Sequence, residues 1–156
     1  MPWKTTLKRA KKDKEEGKAA TTQAGEFVRE EMEHIRRGKH GARSTKQAIA
    51  IGLSKARRAG VDLAPPRKGT TSAATRKKAE RDLERGRSGK AAKPSRKRSQ
   101  AREKALKREP RSAASHAALS KQAKKAAAAR KRRGPATPST RKKSTGRKKS
   151  ASAKKR

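Results

Sequence analysis

Residues 25–63 read GEFVREEMEHIRRGKHGARSTKQAIAIGLSKARRAGVDL, and this stretch decides the fold of the chain. It contains most of the large apolar residues, which recur every three or four positions in each of its halves. That spacing is typical of amphipathic α-helices. Glycines and polar helix-start residues divide the stretch into two helices. The sequence therefore predicts an all-α fold built on a small helical hairpin.

The first predicted helix runs from Gln23 to Arg37, with Thr22 as its N-cap and Gly38 as the left-handed residue that ends it. One arc of this helix is apolar and is predicted to face the core. It consists of Ala24, Val28, Met32 and Ile35, with Phe27 at its edge.

An acidic patch lies on the same helix and consists of Glu26, Glu30, Glu31 and Glu33. Three of these residues fall with Arg37 on the side opposite the apolar arc. We therefore expect a solvated helix face, with Glu33 and Arg37 as an i,i+4 ion pair. A sharper hypothesis is that the patch binds the basic C-terminal tail when nucleic acid is absent.

The second predicted helix begins at a capping box, in which Ser44 bonds forward and Gln47 reaches back. Two arginines lie in its last turn, where cations favour the helix dipole, and Gly60 ends it. Ile49, Leu53 and Ala56 line one face, and Ala48, Gly52 and Ala56 form a small-residue seam that allows close helix approach. Ile51 points the other way, as an ordinary exposed residue or as part of a second contact surface.

Residues 39–43 join the two helices into a hairpin, which Val61 and Leu63 close before Pro65 and Pro66. Ordering each residue costs roughly 1 kcal/mol or more in conformational entropy. The hairpin has few large apolar side chains whose burial could offset that cost. Such a hairpin alone is marginally stable. We therefore expect it to form a homodimer or to fold on a partner.

A short helix is also predicted within residues 4–18, capped by Thr5 or Thr6 and stopped by Gly17. Because its apolar content is only Leu7 and Ala10, we expect it to fray. Trp3, just before it, is expected to be exposed; the alternatives are that it lies over the core or stacks on a base.

Helical patches with little to bury are predicted beyond Pro66, over residues 71–85, 95–109 and 115–133, the first ending at Gly86. We thus divide the chain into a basic N-terminal segment (1–19), the hairpin core (20–66), a region of basic helical patches with linkers (67–134) and a disordered basic tail (135–156). With 28% hydrophobic and 40% charged residues, much of the chain is expected to be disordered when alone.

The net charge of +37 is the strongest functional signal, and residues 110–156 contain 17 basic residues and no acid. Self-repulsion at such a charge makes a bound polyanion the natural resting state. Lysine and arginine attract phosphates without reading bases. The predicted partner is nucleic acid, with duplex DNA first. No lipid-directed helix favours a membrane surface.

The residues expected to bind nucleic acid lie on the second helix, the last helical patch and the tail. They are Lys46, Gln47, Lys55, Arg57, Arg58, Lys124, Lys125, Arg130, Lys131, Arg132, Arg133, Arg141, Lys142, Lys143, Arg147, Lys148 and Lys149. The second helix could also enter a major groove and read bases, presenting Lys46, Gln47, Ser54, Lys55 and Arg58. The scarcity of aromatic residues argues against stacking-based RNA binding.

No catalytic motif is present, so we expect neither an enzyme nor a cofactor. His34, His40 and His116 have no fellow ligands at metal spacing and are predicted to be surface residues, and no metal site is expected. The absence of cysteine is consistent with an intracellular protein. No secretory signal or transit peptide is recognised, and we expect a cytoplasmic, nucleoid location.

Residues 2–66 resemble a family of small basic bacterial proteins of unknown function, most specifically through RSTKQAIAIGLSKARRAGV at residues 43–61. The resemblance implies no activity and no catalytic residue. The remainder is similar in composition to histone H1-like bacterial nucleoid proteins, through KKAAAARKRRGPATPSTRKKS at residues 124–144. That similarity implies chromosome coating.

The expected function is therefore sequence-nonspecific DNA binding, with neutralisation and, through a dimer, bridging of duplexes. One alternative is an RNA- or ribosome-associated protein. Another is a protein-interaction module whose hairpin recruits a partner while the basic arms localise it.

Overall fold

The computed structural model describes residues 3–89 and 95–133, which form six α-helices and one 3₁₀ turn without any strand. The elements are α1 (Lys4–Glu15), α2 (Ala20–Arg36), α3 (Thr45–Arg58), α4 (Ala73–Ser88), α5 (Arg96–Lys107), the 3₁₀ turn (Arg111–Ala114) and α6 (His116–Arg133). The predicted all-α fold is confirmed. None of the described helices is long and apolar enough to cross a membrane.

Glycine ends each of the first three helices, as predicted. Gly17, Gly38 and Gly60 have φ values of 70°, 73° and 91°, a left-handed conformation that glycine adopts without steric cost. After α2, the N–H groups of Gly38 and Lys39 donate to the carbonyls of Ile35 and His34, both at 3.0 Å. This is a Schellman motif, which satisfies carbonyls at the helix end and reverses the chain.

The helix starts follow the prediction less closely. In α3, Ser44 Oγ accepts the N–H of Gln47 at 3.2 Å, and Gln47 Oε1 accepts the N–H of Arg43 at 2.9 Å, so the predicted cap is present. By contrast, α2 begins three residues before the predicted position, with Ala19 as N-cap. Thr22 therefore lies inside the helix, and its prediction as N-cap is wrong. Thr5 and Thr6 likewise lie inside α1, which Trp3 precedes as N-cap.

The contact between α2 and α3 is the closest helix approach of the hairpin. A Cβ placed on Gly52 would lie 2.7 Å from the Cα of Val28, nearer than side-chain atoms approach a backbone. Ala48 and Ala56, one turn away on either side, are fully buried. The predicted small-residue seam of α3 therefore lies directly against the backbone of α2.

The core consists of two apolar clusters on this hairpin. The first is Ala10, Ala24, Phe27, Ala56, Val61 and Leu63, with Ala20 and Leu53 partly buried against it. The second is Met32, Ile35, Ala42, Ala48, Ala113 and Ala114, with Val28, Ile49 and Leu119 against it. The predicted apolar arc of α2 is therefore confirmed. The clusters also include residues that precede the predicted hairpin in the chain and residues that follow it.

Helix α1 packs against α2, so the expectation that it frays is wrong. Ala10 and Thr6 are buried, and Arg9 pairs with Glu26 at 3.6 Å between Nη1 and Oε2. Leu7 is the one large apolar residue that is exposed in residues 3–89 and 95–133. The apolar content of α1 is low, but its small residues allow it to lie close to α2.

Helix α4 packs against α3, and Ser54, which follows Ile51 by three residues and so lies on the same face of α3, donates to Asp82 of α4. Ile51 is half-buried, so the prediction of a second contact surface is supported. The sequence predicts that α4 ends at Gly86, and this is wrong. The helix continues to Ser88 and ends at Gly89, which has a φ of 63°. A Cβ on Gly86 would lie 1.9 Å from the carbonyl oxygen of Arg57. Gly86 therefore permits close packing instead of a helix stop.

The 3₁₀ turn closes the other side of the core. Its Ala113 and Ala114 carbonyls accept hydrogen bonds from Thr45 Oγ1 at 2.7 Å and from Arg36 Nε at 3.0 Å. The prediction that residues beyond Pro66 have almost nothing to bury is wrong here, because small alanines fill the space. Packing therefore crosses the predicted segment boundaries at residues 19 and 66. The predicted disordered tail lies outside the described residues.

We predict that Gly52→Ala lowers the free energy of unfolding by about 1–3 kcal/mol, because the added methyl group must push α3 away from α2. The matched control is Gly25→Ala, a helical glycine on α2 where an added Cβ would have no neighbouring atom within 4 Å. That variant should be neutral or up to about 1 kcal/mol more stable. Urea unfolding followed by circular dichroism measures both. Equal effects of the two substitutions would contradict the close contact.

Candidate functional site

The predicted nucleic-acid-binding residues divide into an exposed set and an internally bonded set. Those exposed in the structure are Lys46, Arg58, Lys124, Lys125, Arg130, Lys131 and Arg132. Arg133 ends α6. The tail residues Arg141, Lys142, Lys143, Arg147, Lys148 and Lys149 lie outside the described residues. The structure therefore leaves α6 as the main described part of the predicted surface.

Three of the predicted residues serve the fold. The buried Arg57 donates from Nε to the Leu63 carbonyl at 3.1 Å and from Nη2 to the Ala64 carbonyl at 3.2 Å. Burial lowers the pKa of Arg57, against the attraction of Asp82. Lys55 bonds to the buried Glu31, and Gln47 completes the cap of α3. We correct the site by removing Arg57, Lys55 and Gln47 from the surface offered to phosphates.

Helix α6 keeps its cations away from the core. Leu119, Gln122 and Ala126 are half-buried and lie on one side of the helix, as their spacing of three and four residues requires. Lys121, Lys124 and Lys125 are exposed and project from the other side. The helix contains seven lysines and arginines and no acid, so no cation within α6 is neutralised by a neighbouring carboxylate of the same helix.

Exposed cations on α4 and α5 extend this surface, and the residue predictions did not include them. On α5, every described side chain except Leu106 is exposed, and six lysines and arginines accompany the single acid Glu103. Glu103 accepts from Lys107, which lowers the pKa of its carboxyl group. The charge excess of residues 67–109 was visible in the sequence and could have placed these residues in the site.

A second feature, inside the fold, was not predicted: a buried cluster of Glu30, Glu31, His34 and His40. Glu30 and Glu31 are only 2% and 0% exposed, and His34 is 7% exposed. The prediction of a solvated acidic face is therefore wrong for Glu30 and Glu31, and the prediction of a surface residue is wrong for His34. His116 is exposed, as predicted.

Each member of the acid pair has one partner from a distant part of the chain. Glu30 Oε2 accepts the backbone N–H of Trp3 at 3.1 Å, and Glu31 Oε2 accepts from Lys55 Nζ. Their other oxygens, Glu30 Oε1 and Glu31 Oε1, are buried and have no hydrogen-bond partner. His34 Nε2 is also buried and also has no hydrogen-bond partner. Unsatisfied buried polar atoms are rare, so three in one place call for an explanation.

The remaining residues of the acidic patch behave as predicted. Glu33 pairs with Arg37 at 3.5 Å, the expected i,i+4 ion pair, and also with Arg29 at 3.8 Å. Glu26 pairs with Arg9. Since the two buried acids are already bonded inside the protein, only half of the patch faces outward for the hypothetical docking of the basic tail.

Trp3 lies over this cluster, which was the less favoured alternative in the sequence. Its ring meets the His34 ring edge-on, with 4.7 Å between centroids. The cations of Arg37 and Lys39 lie 5.1 and 4.8 Å from the Trp3 ring centroid. Burial lowers the pKa of His34, and the positive charges of Lys55 and Lys39 lower it further, against Glu30 and Glu31. The His34 ring is therefore held neutral.

The described chain is thus an all-α protein with a buried acid–histidine cluster and an exposed basic surface. Residues 11–69 match the model of a family described only as a "Family of unknown function (DUF6496)". The match covers α2, α3 and the last five residues of α1, and it supports the resemblance to an uncharacterised family; it does not extend to the basic region beyond. No curated protein and no solved structure matches the chain.

We predict that Arg57→Met lowers the free energy of unfolding by about 1–3 kcal/mol, because the carbonyls of Leu63 and Ala64, in the segment that follows α3, lose their donor. The control is Arg43→Met, which removes the same charge from an exposed residue that lies in neither apolar cluster. Its effect on stability should stay within about 0.5 kcal/mol. Thermal and urea unfolding measure both. If Arg57→Met instead weakened DNA binding without loss of stability, Arg57 would belong to the surface.

Proposed function

We propose that the protein binds duplex DNA without base specificity, through contacts between exposed lysines and arginines and the phosphate backbone, in a nucleoid-associated, histone H1-like role. The observation that carries the proposal is α6, an 18-residue helix with seven cations and no acid. The half-buried face of α6 packs against the core through Leu119, so the described cations of the helix are directed outward. No catalytic step and no cofactor form part of this proposal.

The dimensions of α6 suit a phosphate backbone. A helix of 18 residues is about 27 Å long. That length spans roughly eight base pairs of duplex, at 3.4 Å per phosphate along a strand. The remaining cations of the tail follow α6 in the chain, so they can continue along the same duplex. The net charge of +37 makes association favourable at low salt.

Nonspecific binding is favoured over base reading because most of the α3 side chains that could read bases form hydrogen bonds within the protein. Of the five residues that could read a major groove, Gln47, Ser54 and Lys55 are bonded within the protein. Stacking on bases has little support either, because Phe27 is buried and Trp3 contacts His34. These are the only two aromatic residues among Phe, Trp and Tyr in the chain. Phosphate contact needs neither feature.

The homodimer and the partner-recruiting hairpin have less support than the sequence suggested. The homodimer is expected from the sequence because the hairpin is too small to be stable alone, and the partner-recruiting module needs the hairpin surface to be free. In the structure, α1, α4 and the 3₁₀ turn pack on that hairpin within one chain. Nonspecific coating does not require a dimer, whereas bridging of two duplexes does.

We predict that replacing Lys121, Lys124 and Lys125 together by alanine weakens binding to duplex DNA and reduces the slope of log K against log salt by roughly 2–3. The matched control removes three cations that already pair with carboxylates, Lys11, Lys12 and Arg76. Both variants lose the same net charge, so long-range attraction falls equally. Fluorescence anisotropy with a labelled duplex at several salt concentrations measures the slopes. Equal slopes in the two variants would contradict a role for α6.

A competition experiment separates DNA from RNA. We predict that unlabelled duplex DNA displaces a labelled duplex at lower concentration than single-stranded RNA of equal phosphate content, because the protein has few aromatic side chains to stack on unpaired bases. Two duplexes of different sequence should compete equally. Preference for RNA would favour the RNA-associated alternative, and a strong difference between the two duplexes would show base reading.

A further inference from the structure

The buried cluster beside Trp3 has more acceptors than donors. Glu30 Oε1, Glu31 Oε1 and His34 Nε2 are buried without a hydrogen-bond partner. His34 Nε2 lies 3.6 Å from Glu30 Oε1. Buried carboxylate oxygens without partners destabilise a fold, so a cation in this position would satisfy them.

His40 adds a fourth ligand atom, and the fold fixes its orientation. The Schellman motif at Gly38 reverses the chain and returns His40 toward α2. His40 Nδ1 lies 3.1 Å from the Gly41 carbonyl, which can only accept, so Nδ1 carries the proton. In the neutral ring, the lone pair of Nε2 then faces Glu31 Oε1 at 3.4 Å. A cation placed between that lone pair and the carboxylate oxygen would bind both.

The geometry around this point is that of a metal site. Glu31 and His34 lie on the same face of α2 because they are three residues apart. One ligand atom from each of Glu31, His34 and His40 lies within 4.8 Å of the others. In a tetrahedral zinc site with bonds near 2.0 Å, ligand atoms are about 3.3 Å apart, so metal binding would draw these atoms together by up to about 1.5 Å. The hydrogen bond of His40 Nδ1 to a carbonyl is the usual outer support of a histidine ligand.

We propose that Glu31, His34 and His40 bind a divalent first-row transition-metal ion, of which Zn²⁺ is the representative. Glu30 Oε1 or a water molecule takes the fourth position. Imidazole and carboxylate ligands together suit ions of this class. Two carboxylates bring two negative charges to the cluster; the ammonium of Lys55 bonds Glu31 Oε2, and that of Lys39 lies over the Trp3 ring, so neither occupies the space between the free oxygens.

This site would act on structure and not on chemistry. The metal ion would link the loop at residues 39–43 to α2. This loop also forms hydrogen bonds with the end of α5 and with the residues that follow it. Gly41 N–H donates to the Leu106 carbonyl at 2.8 Å, and Ala42 N–H donates to the Pro110 carbonyl at 3.1 Å. The metal ion would thereby fix the segment that leads into the 3₁₀ turn and α6. The proposal does not depend on DNA binding.

The full chain, free of nucleic acid and treated with chelator, tests the proposal by titration with Co²⁺. We expect one equivalent to bind, with visible d–d absorption and quenching of the single tryptophan, Trp3, which contacts His34. Zn²⁺ should displace Co²⁺, and the melting temperature should rise on metal addition. His40→Ala should weaken Co²⁺ binding by at least about 10-fold, and His116→Ala should not.

Glu31→Gln provides a second variant, because its amide oxygen can still accept from Lys55 while the ligand charge is lost. It should also weaken Co²⁺ binding while circular dichroism shows the helices intact. The proposal is overturned if wild-type protein shows no saturable one-to-one binding, or if His40→Ala and His116→Ala bind alike. It is also overturned if nuclear magnetic resonance shows a proton shared between His40 and Glu31 that added metal does not displace.

Discussion

The structure depends on the close approach of α2 and α3, which Gly52 permits by leaving room for the backbone at Val28. Because the backbones of the two helices approach closely, a side chain on α3 can bond to a buried carboxylate on α2, as Lys55 does to Glu31. The same close contact sets the position of the last turn of α3, onto which α4 packs through Gly86. A larger side chain at Gly52 would separate the helices and would expose both the apolar clusters and the acid–histidine cluster to water.

A consequence of this packing is the separation of charge by sign. The fold buries Glu30, Glu31 and Asp82 and bonds each of them internally. The described cations of α5 and α6, at residues 96–107 and 121–132, remain on the surface. The surface is therefore more uniformly positive than an even distribution of the same residues would be. In a chain with net charge +37, this arrangement makes the exterior more basic, because three of the acids lie inside the fold.

Local signals in the sequence predicted the helices, their glycine stops, the cap of α3 and the small-residue seam, because each depends on neighbours within one turn. The burial of Glu30 and Glu31 could not be predicted in this way, since their partners Trp3 and Lys55 lie 27 and 24 positions away. The packing of Ala113 and Ala114 depends on contacts with residues 68 and 78 positions distant. Alanine itself gives little hydrophobic signal. The basic surface was visible from composition, but which cations the fold uses internally was not.

We propose that a closed helical core presents its cations, and not its hairpin seam, to a duplex. Titration of the full chain with a short DNA duplex, followed by amide chemical shifts, tests this proposal. We expect the shift changes to concentrate on the basic faces of α5 and α6 and in the residues that follow. Amides of residues 30–35 and of the Ala48, Gly52 and Ala56 seam should stay in place. Largest shifts along that seam, with α6 unchanged, would contradict it.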